Sequence, residues 1–202
     1  EPAGANCMQE SLKKGEVTTL PGVNTIADGT AVKTPGKNIF PYIQKNLDDI
    51  ITVPDEELVV AFLDIVENHK MVVENSGLLT VAALKHLNVQ NQRVVSILSG
   101  GNMDIITMSS VVQQGLIFRD RIFTVSVLLP DKPGMLSKVA DVIAKENGNV
   151  IKLEHNQFVS INRSAAVELR ITLETFGTEH KNQIIKALEE KGYQPKQVRT
   201  NI

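Results

Sequence analysis

The sequence has no tryptophan, an aromatic fraction of only 4% and a single cysteine, Cys7, in 202 residues. One cysteine closes no intramolecular disulfide, which favours a reducing compartment. So few aromatics leave no stacking platform for nucleic-acid bases. With 21 Lys+Arg against 23 Asp+Glu and no basic block, the electrostatic footprint of a nucleic-acid binder is also missing. No apolar run is long enough to span a bilayer, and no segment reads as a secretory signal. The expectation is a soluble cytoplasmic protein with neither a nucleic-acid nor a membrane partner. What remains is ordinary: 42% hydrophobic, 22% charged, 13 Gly and 8 Pro, a composition outside the disordered, collagenous and coiled-coil classes. The length allows one large domain or two small ones.

The chain has no initiator methionine, and Glu1-Pro2-Ala3-Gly4-Ala5 reads as the turn after a strand, so a fragment of something longer is expected. Pro2–Lys14 suits a helix that ends on Lys13 and Lys14 before Gly15, a cationic last turn followed by a C′ glycine. Residues 15–38 are punctuated by Gly15, Pro21-Gly22, Asp28-Gly29 and Pro35-Gly36 and read as loops. Asp49–Val53 is a short β-branched strand. Pro54-Asp55-Glu56-Glu57 then opens a helix with acids at its N-terminus, followed by Leu58, Phe62, Ile65, Val66 and His69 at helical spacing. Met71–Glu74 reads as extended, Ser76–Leu87 as a helix of small residues, and Arg93–Leu98 as a continuously apolar strand buried on both faces, as in a parallel sheet. Residues 1–115 are therefore expected to form an α/β domain, with a linker at 116–120.

Residues 121–202 have a different texture. Ile122–Leu129 alternates as a strand, Asp131–Gly134 is a turn, and Leu136, Val139, Ala140 and Ile143 mark one helical face. Val150–Glu154 and Ala166–Thr175 read as strands, Thr178 as the cap of a helix carrying Ile184, Ile185 and Leu188, and Tyr193–Arg199 as a last strand. The order βαββαβ packs as a four-stranded antiparallel sheet with both helices on one face, a ferredoxin-like α+β arrangement.

Ser99-Gly100-Gly101-Asn102 closes the apolar strand and is either a plain glycine turn or a ligand site, since ligands in α/β sheets sit at the C-terminal ends of strands. The stretches EPAGAN at 1–6, TIADGTAVKTPG at 25–36, DDIITV at 48–53, VVENSG at 72–77 and VVSILSGGNMD at 94–104 carry a resemblance. From Glu1 to Asp104 the chain resembles the C-terminal half of the catalytic domain of threonine dehydratases (threonine ammonia-lyases), of tryptophan-synthase-β-like fold, with serine racemase a near relative. Five collinear motifs make the resemblance specific. It implies pyridoxal 5′-phosphate as cofactor and elimination of water from L-threonine to give 2-oxobutanoate and ammonia. Ser99 is then expected to hydrogen-bond the pyridine nitrogen. A neutral hydroxyl does not hold that nitrogen protonated, so the cofactor is a weaker electron sink, suited to elimination over transamination. Gly29, by its main chain, and Glu74 would line the same pocket; on the residues alone Asp28-Gly29 is a turn and Glu74 a helix-preceding acid. Asn75 and Ser76 follow Glu74 where the family usually has small residues. Glu1, Ala5 and Cys7 fall where relatives bind a structural cation, but a thiol does not suit a hard cation, so Cys7 reads as a buried helix residue and no metal is expected. The family's Schiff-base lysine motif and its glycine-run phosphate loop do not occur here and belong upstream of Glu1, so these residues alone are expected to be inactive, with no catalytic residue among them.

From Arg121 to Ile202, LLPDKPGML at 128–136, IKLEH at 151–155 and VELRITLET at 167–175 resemble an ACT domain, a module that commonly binds amino acids. Asp131, Lys132, Pro133 and Gly134 join the first strand to the first helix. They are either a bare turn or an effector site where amides at the helix N-terminus meet a carboxylate and glycine lets the backbone approach it. Apolar Met135 and Leu136 beyond the loop point to isoleucine or valine as effector. His155 matches a histidine typical of these domains, yet also reads as an ordinary strand residue, because Asn156 and Gln157 replace the family's acid and arginine. ACT domains commonly pair, so a homo-oligomer is expected. The rival reading is a non-catalytic amino-acid sensor that keeps residues 1–115 as a scaffold.

Overall fold

The computed structural model describes residues 1–157 and 167–201. The chain divides into two compact units, Glu1–Gly115 and Leu116–Ile202. Among the described residues no helix is long and apolar enough to cross a membrane.

The first unit opens with a 3₁₀ turn at Ala3–Ala5 and helix α1, Cys7–Lys14, which Gly15 ends in a left-handed conformation (φ 75°) with its N–H on the Leu12 carbonyl. The Glu1 carboxylate reaches the start of α1 and accepts the amides of Met8 and Gln9, both at 2.9 Å, placing negative charge where the helix dipole favours it. The strand expected at 49–53 reduces to one parallel bridge, Pro2 to Val53, with Ala3 N–H on Val53 O and Val53 N–H on Glu1 O at 2.8 Å each. A short helix not anticipated from periodicity, α2 (Phe40–Asn46), follows the loops. Helix α3, Asp55–His69, has three acids in its first turn and buries Leu58, Phe62 and Ile65, along with Val59, Ala61 and Leu63. The helix expected over 76–87 is broken into a 3₁₀ turn Asn75–Leu78, one turn of α-helix α4 (Leu79–Ala82) and a second 3₁₀ turn Ala83–His86.

Arg93–Leu98 forms no ladder, which corrects the expectation of a doubly buried strand. Val95 is 89% and Ile97 72% exposed. A strand exists only by pairing, and among the described residues the hydrogen bonds of this segment run only to Thr80, whose hydroxyl donates to Ile97 O at 3.0 Å and whose carbonyl accepts from Ser96 Oγ. Helix α5 runs Ile105–Phe118, so the first three of the five residues expected as a linker are helical. Gly115 lets it pass close to α3: a Cβ there would lie 2.6 Å from Leu63 Cδ1.

The second unit contains β1 (Ile122–Leu129), α6 (Met135–Lys145), β2 (Asn149–Asn156), β3 (Val167–Glu174), α7 (Thr178–Glu190) and β4 (Lys196–Val198). The sheet is antiparallel throughout, in the order β2-β3-β1-β4. Alternation does what period-2 patterning requires. Phe123, Val125, Val127 and Leu129 of β1 and Val167, Leu169, Ile171 and Leu173 of β3 face one way into a core shared with Val139, Val142 and Ile143 of α6 and Ile184 and Leu188 of α7. Leu136, expected on that face, is 42% exposed, and its neighbour Met135 packs against the core instead. Thr178 does not cap α7; Gly177 (φ 123°) holds the cap position, and the Thr178 hydroxyl donates to Asp120 Oδ2 at 2.8 Å. Asp120, left-handed at φ 54°, also takes Lys181 Nζ at 2.8 Å, and its carbonyl accepts the Thr175 hydroxyl. Ala166, expected in the strand β3, lies outside the described residues.

His180 is nearly buried. Its Nδ1 accepts the Phe176 amide at 3.1 Å while Nε2 meets the Glu146 carbonyl, and the exposed Phe176 ring stacks on it with centroids 5.0 Å apart. Those partners require the Nε2–H tautomer.

Candidate functional site

Three segments of the first unit converge. Asp55, at the start of α3, accepts the Thr25 hydroxyl (2.6 Å) and the Ile26 amide (2.8 Å), which fixes the approach to Asp28-Gly29. Asn75 Nδ2 donates to the Ile26 carbonyl at 3.0 Å, tying that approach to the turn after Glu74. Glu74 Oε2 in turn accepts the Asn102 amide at 3.2 Å, and Glu74 N–H points to Gly100 O. Asp55 and Asn75 are thus the organising residues that sequence reasoning did not single out as such. Their signals were an acid in the first turn of α3 and a polar residue where the resembled family has a small one.

The glycines in these segments are there for space. A Cβ on Gly77 would stand 1.9 Å from Ser99 O, and one on Gly100, which is left-handed at φ 76°, would stand 2.2 Å from the Glu74 carboxyl carbon. On Gly29 it would come within 2.8 Å of Ser76 Oγ and 3.3 Å of Glu74 Oε1. Gly29, Glu74 and Gly100 are therefore neighbours, and the Ser99 backbone packs on Gly77; Ser99 itself is exposed. Beside them opens a cleft of about 450 Å³ whose walls include Asp28, Glu74, Asn75, Asn102 and the N-terminal turns of α5. Asp104 caps α5, accepting the Ile106 and Thr107 amides at 2.9 and 3.0 Å, and the Thr107 hydroxyl's hydrogen bond, first among its partners, holds the carboxyl below the usual range.

Cys7 is buried, and burial first, then the nearby Glu1 charge, pushes its thiol up. Glu1 spends both carboxylate oxygens on helix amides. Among the described residues no group of three or more His, Cys, Asp or Glu is placed to hold a metal ion.

In the second unit, Asp131–Gly134 lines a cavity of about 330 Å³ together with Leu129, Met135, His155, Val167 and Leu169. Gly134 occupies the N-cap of α6 at φ 81°, and no side chain caps the helix, so the first-turn amides have no side-chain acceptor. A Cβ at Gly134 would meet nothing within 4 Å. The left-handed backbone by itself favours glycine at this position.

Comparison with known proteins follows the same division. Residues 1–100 match the family model described as pyridoxal-phosphate dependent enzyme, and residues 123–192 match the ACT domain. Residues 1–100 thus belong to the pyridoxal-phosphate dependent enzymes and residues 123–192 to the ACT domains. The curated relatives are named L-threonine ammonia-lyases and dehydratases, whose C-terminal part this chain resembles. It is 37% identical over 195 residues to the L-threonine ammonia-lyase of Geobacter sulfurreducens, covering 96% of this chain and 48% of the relative. It is 32% identical over 188 residues to that of Thermotoga maritima, covering 93% and 47%. The chain spans about half the length of the curated relatives it matches. Among solved structures, the processed form of threonine deaminase isoform 2 from Solanum lycopersicum matches with a TM-score of 0.54 and 30% identity over 56% of this chain and 34% of that one.

The residues present fit one side of such a cofactor. Asn75 Oδ1 and Ser76 Oγ are buried without a hydrogen-bond partner, the close-packed glycines leave backbone rather than side chains at the site, and Ser99 is open to approach. Among the described residues no lysine lines the cleft.

Proposed function

We propose that this chain is the part of a threonine ammonia-lyase that holds one side of the cofactor and carries the regulatory domain. The whole enzyme converts L-threonine to 2-oxobutanoate and ammonia in the cytoplasm. The observation that carries this reading is the pairing, in one chain and in this order, of the pyridoxal-phosphate dependent enzyme match with the ACT match. Bound pyridoxal phosphate supplies the electron sink that the elimination needs. Ser99 would donate a hydrogen bond to the pyridine nitrogen without protonating it, and Gly29, by its main chain, and Glu74, held by the Asn102 amide, would line the same site. In the second unit, the uncapped amides of α6 behind Asp131, Lys132, Pro133 and Gly134 take the carboxylate of an amino-acid effector. The apolar wall of Leu129, Val167 and Leu169 selects a branched side chain, isoleucine or valine. The enzyme is a homo-oligomer joined through its ACT domains.

The test uses the whole protein that contains this segment. Ser99→Asp should protonate the pyridine nitrogen, change the cofactor's absorbance and lower 2-oxobutanoate release. Ser99→Ala should weaken cofactor retention about fivefold, the worth of one buried hydrogen bond of about 1 kcal/mol. Wild-type spectra and rates in both variants would show that Ser99 does not face the cofactor.

A further inference from the structure

Ile26 is gripped at both of its polar backbone atoms. Its N–H donates to Asp55 Oδ2 at 2.8 Å, and its carbonyl accepts from Asn75 Nδ2 at 3.0 Å. The other oxygen of Asp55 accepts the Thr25 hydroxyl at 2.6 Å, and that hydroxyl oxygen takes the amide of Ala27 at 3.1 Å, a residue with no exposed surface. The Ala27 carbonyl then accepts both the amide and the hydroxyl of Thr30. One carboxylate therefore governs the path of the chain through Asp28-Gly29. Its own place is firm, because Asp55 is the first residue of α3, where the helix dipole favours its charge, and Leu58 and Phe62 of that helix are fully buried. Asn75 holds the other end from the turn directly after Glu74. It is 4% exposed with Oδ1 buried and unpaired, so its burial leaves one oxygen unsatisfied for the sake of one bond. Stability alone would favour an apolar side chain of that size. What the bond secures is spacing: a Cβ on Gly29 would come within 2.8 Å of Ser76 Oγ and 3.3 Å of Glu74 Oε1.

We propose that Asp55 and Asn75 are positioning residues that clamp Ile26 from two elements and so set the gap between the Gly29 main chain and the Glu74 carboxylate, against which the cofactor fits. Neither acts by touching the cofactor. Asp55 stands outside the walls of the cleft, and the Asn75 amide is committed to Ile26. The inference rests on the lyase reading and adds to it the residues that hold its geometry. Both anchors are needed: with Asp55 alone the loop pivots about the Ile26 amide toward or away from Glu74, and with Asn75 alone the path from Thr25 to Ala27 is free.

The experiment titrates the whole enzyme that contains this segment with pyridoxal 5′-phosphate, followed by absorbance, and records the Gly29 and Asn102 amides of the cofactor-free 202-residue chain by NMR. Asn75→Leu removes one unpaired oxygen while freeing another, so it should keep the melting temperature of wild type. Its cofactor affinity should nevertheless fall at least about tenfold, short of the loss of about a hundredfold that a misplacement of about 1 Å can bring. Asp55→Ala should weaken the cofactor likewise. Asp55→Asn, whose amide still accepts from Ile26 and can donate to the Thr25 oxygen, should recover most of the affinity. If Asp55→Ala does not fold, Thr25→Val, which loses only the hydroxyl, takes its place. In the cofactor-free chain both amides should shift in Asn75→Leu and in Asp55→Ala, although they are hydrogen-bonded to Asp28 and Glu74 and not to the residues changed. Because both residues act through Ile26, the double variant should lose less than the product of the two single losses. Folded variants with wild-type cofactor affinity, unmoved amides, or an affinity that falls only in step with the melting temperature would overturn the proposal. A wild-type enzyme that takes up no pyridoxal phosphate would instead refute the lyase reading, and the amide shifts would still test the clamp.

Discussion

Gly77→Ala offers a sharp perturbation of the candidate site, because it adds a single methyl group against backbone. The new Cβ would lie 1.9 Å from Ser99 O, 3.0 Å from Ser99 C and 2.8 Å from Val73 Cγ1. A flexible side chain could swing aside, but a carbonyl on the chain leading into Gly100-Gly101-Asn102 cannot, so that segment must retreat by about 1 Å from the turn after Glu74. Overpacking of this kind costs about 1–3 kcal/mol. At about 4 °C per kcal/mol for a unit of this size, the melting temperature of the first unit should fall by about 4–12 °C. The second unit should melt unchanged. In the whole lyase, a displacement of about 1 Å between Ser99 and Glu74 should cost about a hundredfold in kcat/KM for threonine. Gly22→Ala is the control, since a Cβ there meets nothing within 4 Å. Calorimetry of both variants, with 2-oxobutanoate release by the whole enzyme, decides the outcome; if Gly77→Ala behaves like Gly22→Ala, the packing of Ser99 on Gly77 is not as described.

Gly134→Asp should weaken isoleucine or valine binding at least tenfold while basal threonine deamination persists: the left-handed cap position tolerates Asp, but the added carboxylate repels the effector's own. No change in effector affinity by calorimetry would remove the loop from the site. Burial pushes the Glu57 carboxyl up, but hydrogen bonds from His86 and Lys85 outweigh it and hold the group below its ordinary value near 4.5. A lowered value means the stabilisation is complete above that ordinary value and fades as pH falls through the folded one. Glu57→Gln should therefore melt lower than wild type at pH 7, with the gap closing in more acidic buffer; a gap that does not depend on pH would refute the linkage. The exposed Val95 and Ile97, on a segment with unpaired backbone, should make the isolated 202-residue chain associate. Light scattering that finds a soluble monomer would count against this, and Val95→Lys with Ile97→Lys should reduce association.

The second unit was legible because each of its signals is local. Phe123 to Leu129 and Val167 to Leu173 alternate without interruption, so strand, face and partner follow from a period of two. The first unit was harder, for a physical reason. Arg93–Leu98 has the composition of a central strand, yet a strand's existence depends on neighbours that composition does not contain. Periodicity also passed over α5, because its Asp104 cap sits inside a glycine-rich stretch that reads as a turn. Glu74, Gly29 and Ser99 could be brought together only through the family resemblance. Their actual organisers, Asp55 and Asn75, act across 29 and 49 residues of chain, beyond the reach of any local pattern.

The crossbrace at His180 makes one hydrogen atom unusually informative. The Phe176 amide ends on Nδ1 while Nε2 holds Glu146 O, so this ring joins the turn that enters α7 to the turn that leaves α6. Freeing that amide means moving a nearly buried ring that the Glu146 carbonyl also holds. Its exchange in deuterated solvent should therefore follow complete opening of the second unit rather than local fraying. A single resonance would then report that unit's free energy separately from the first.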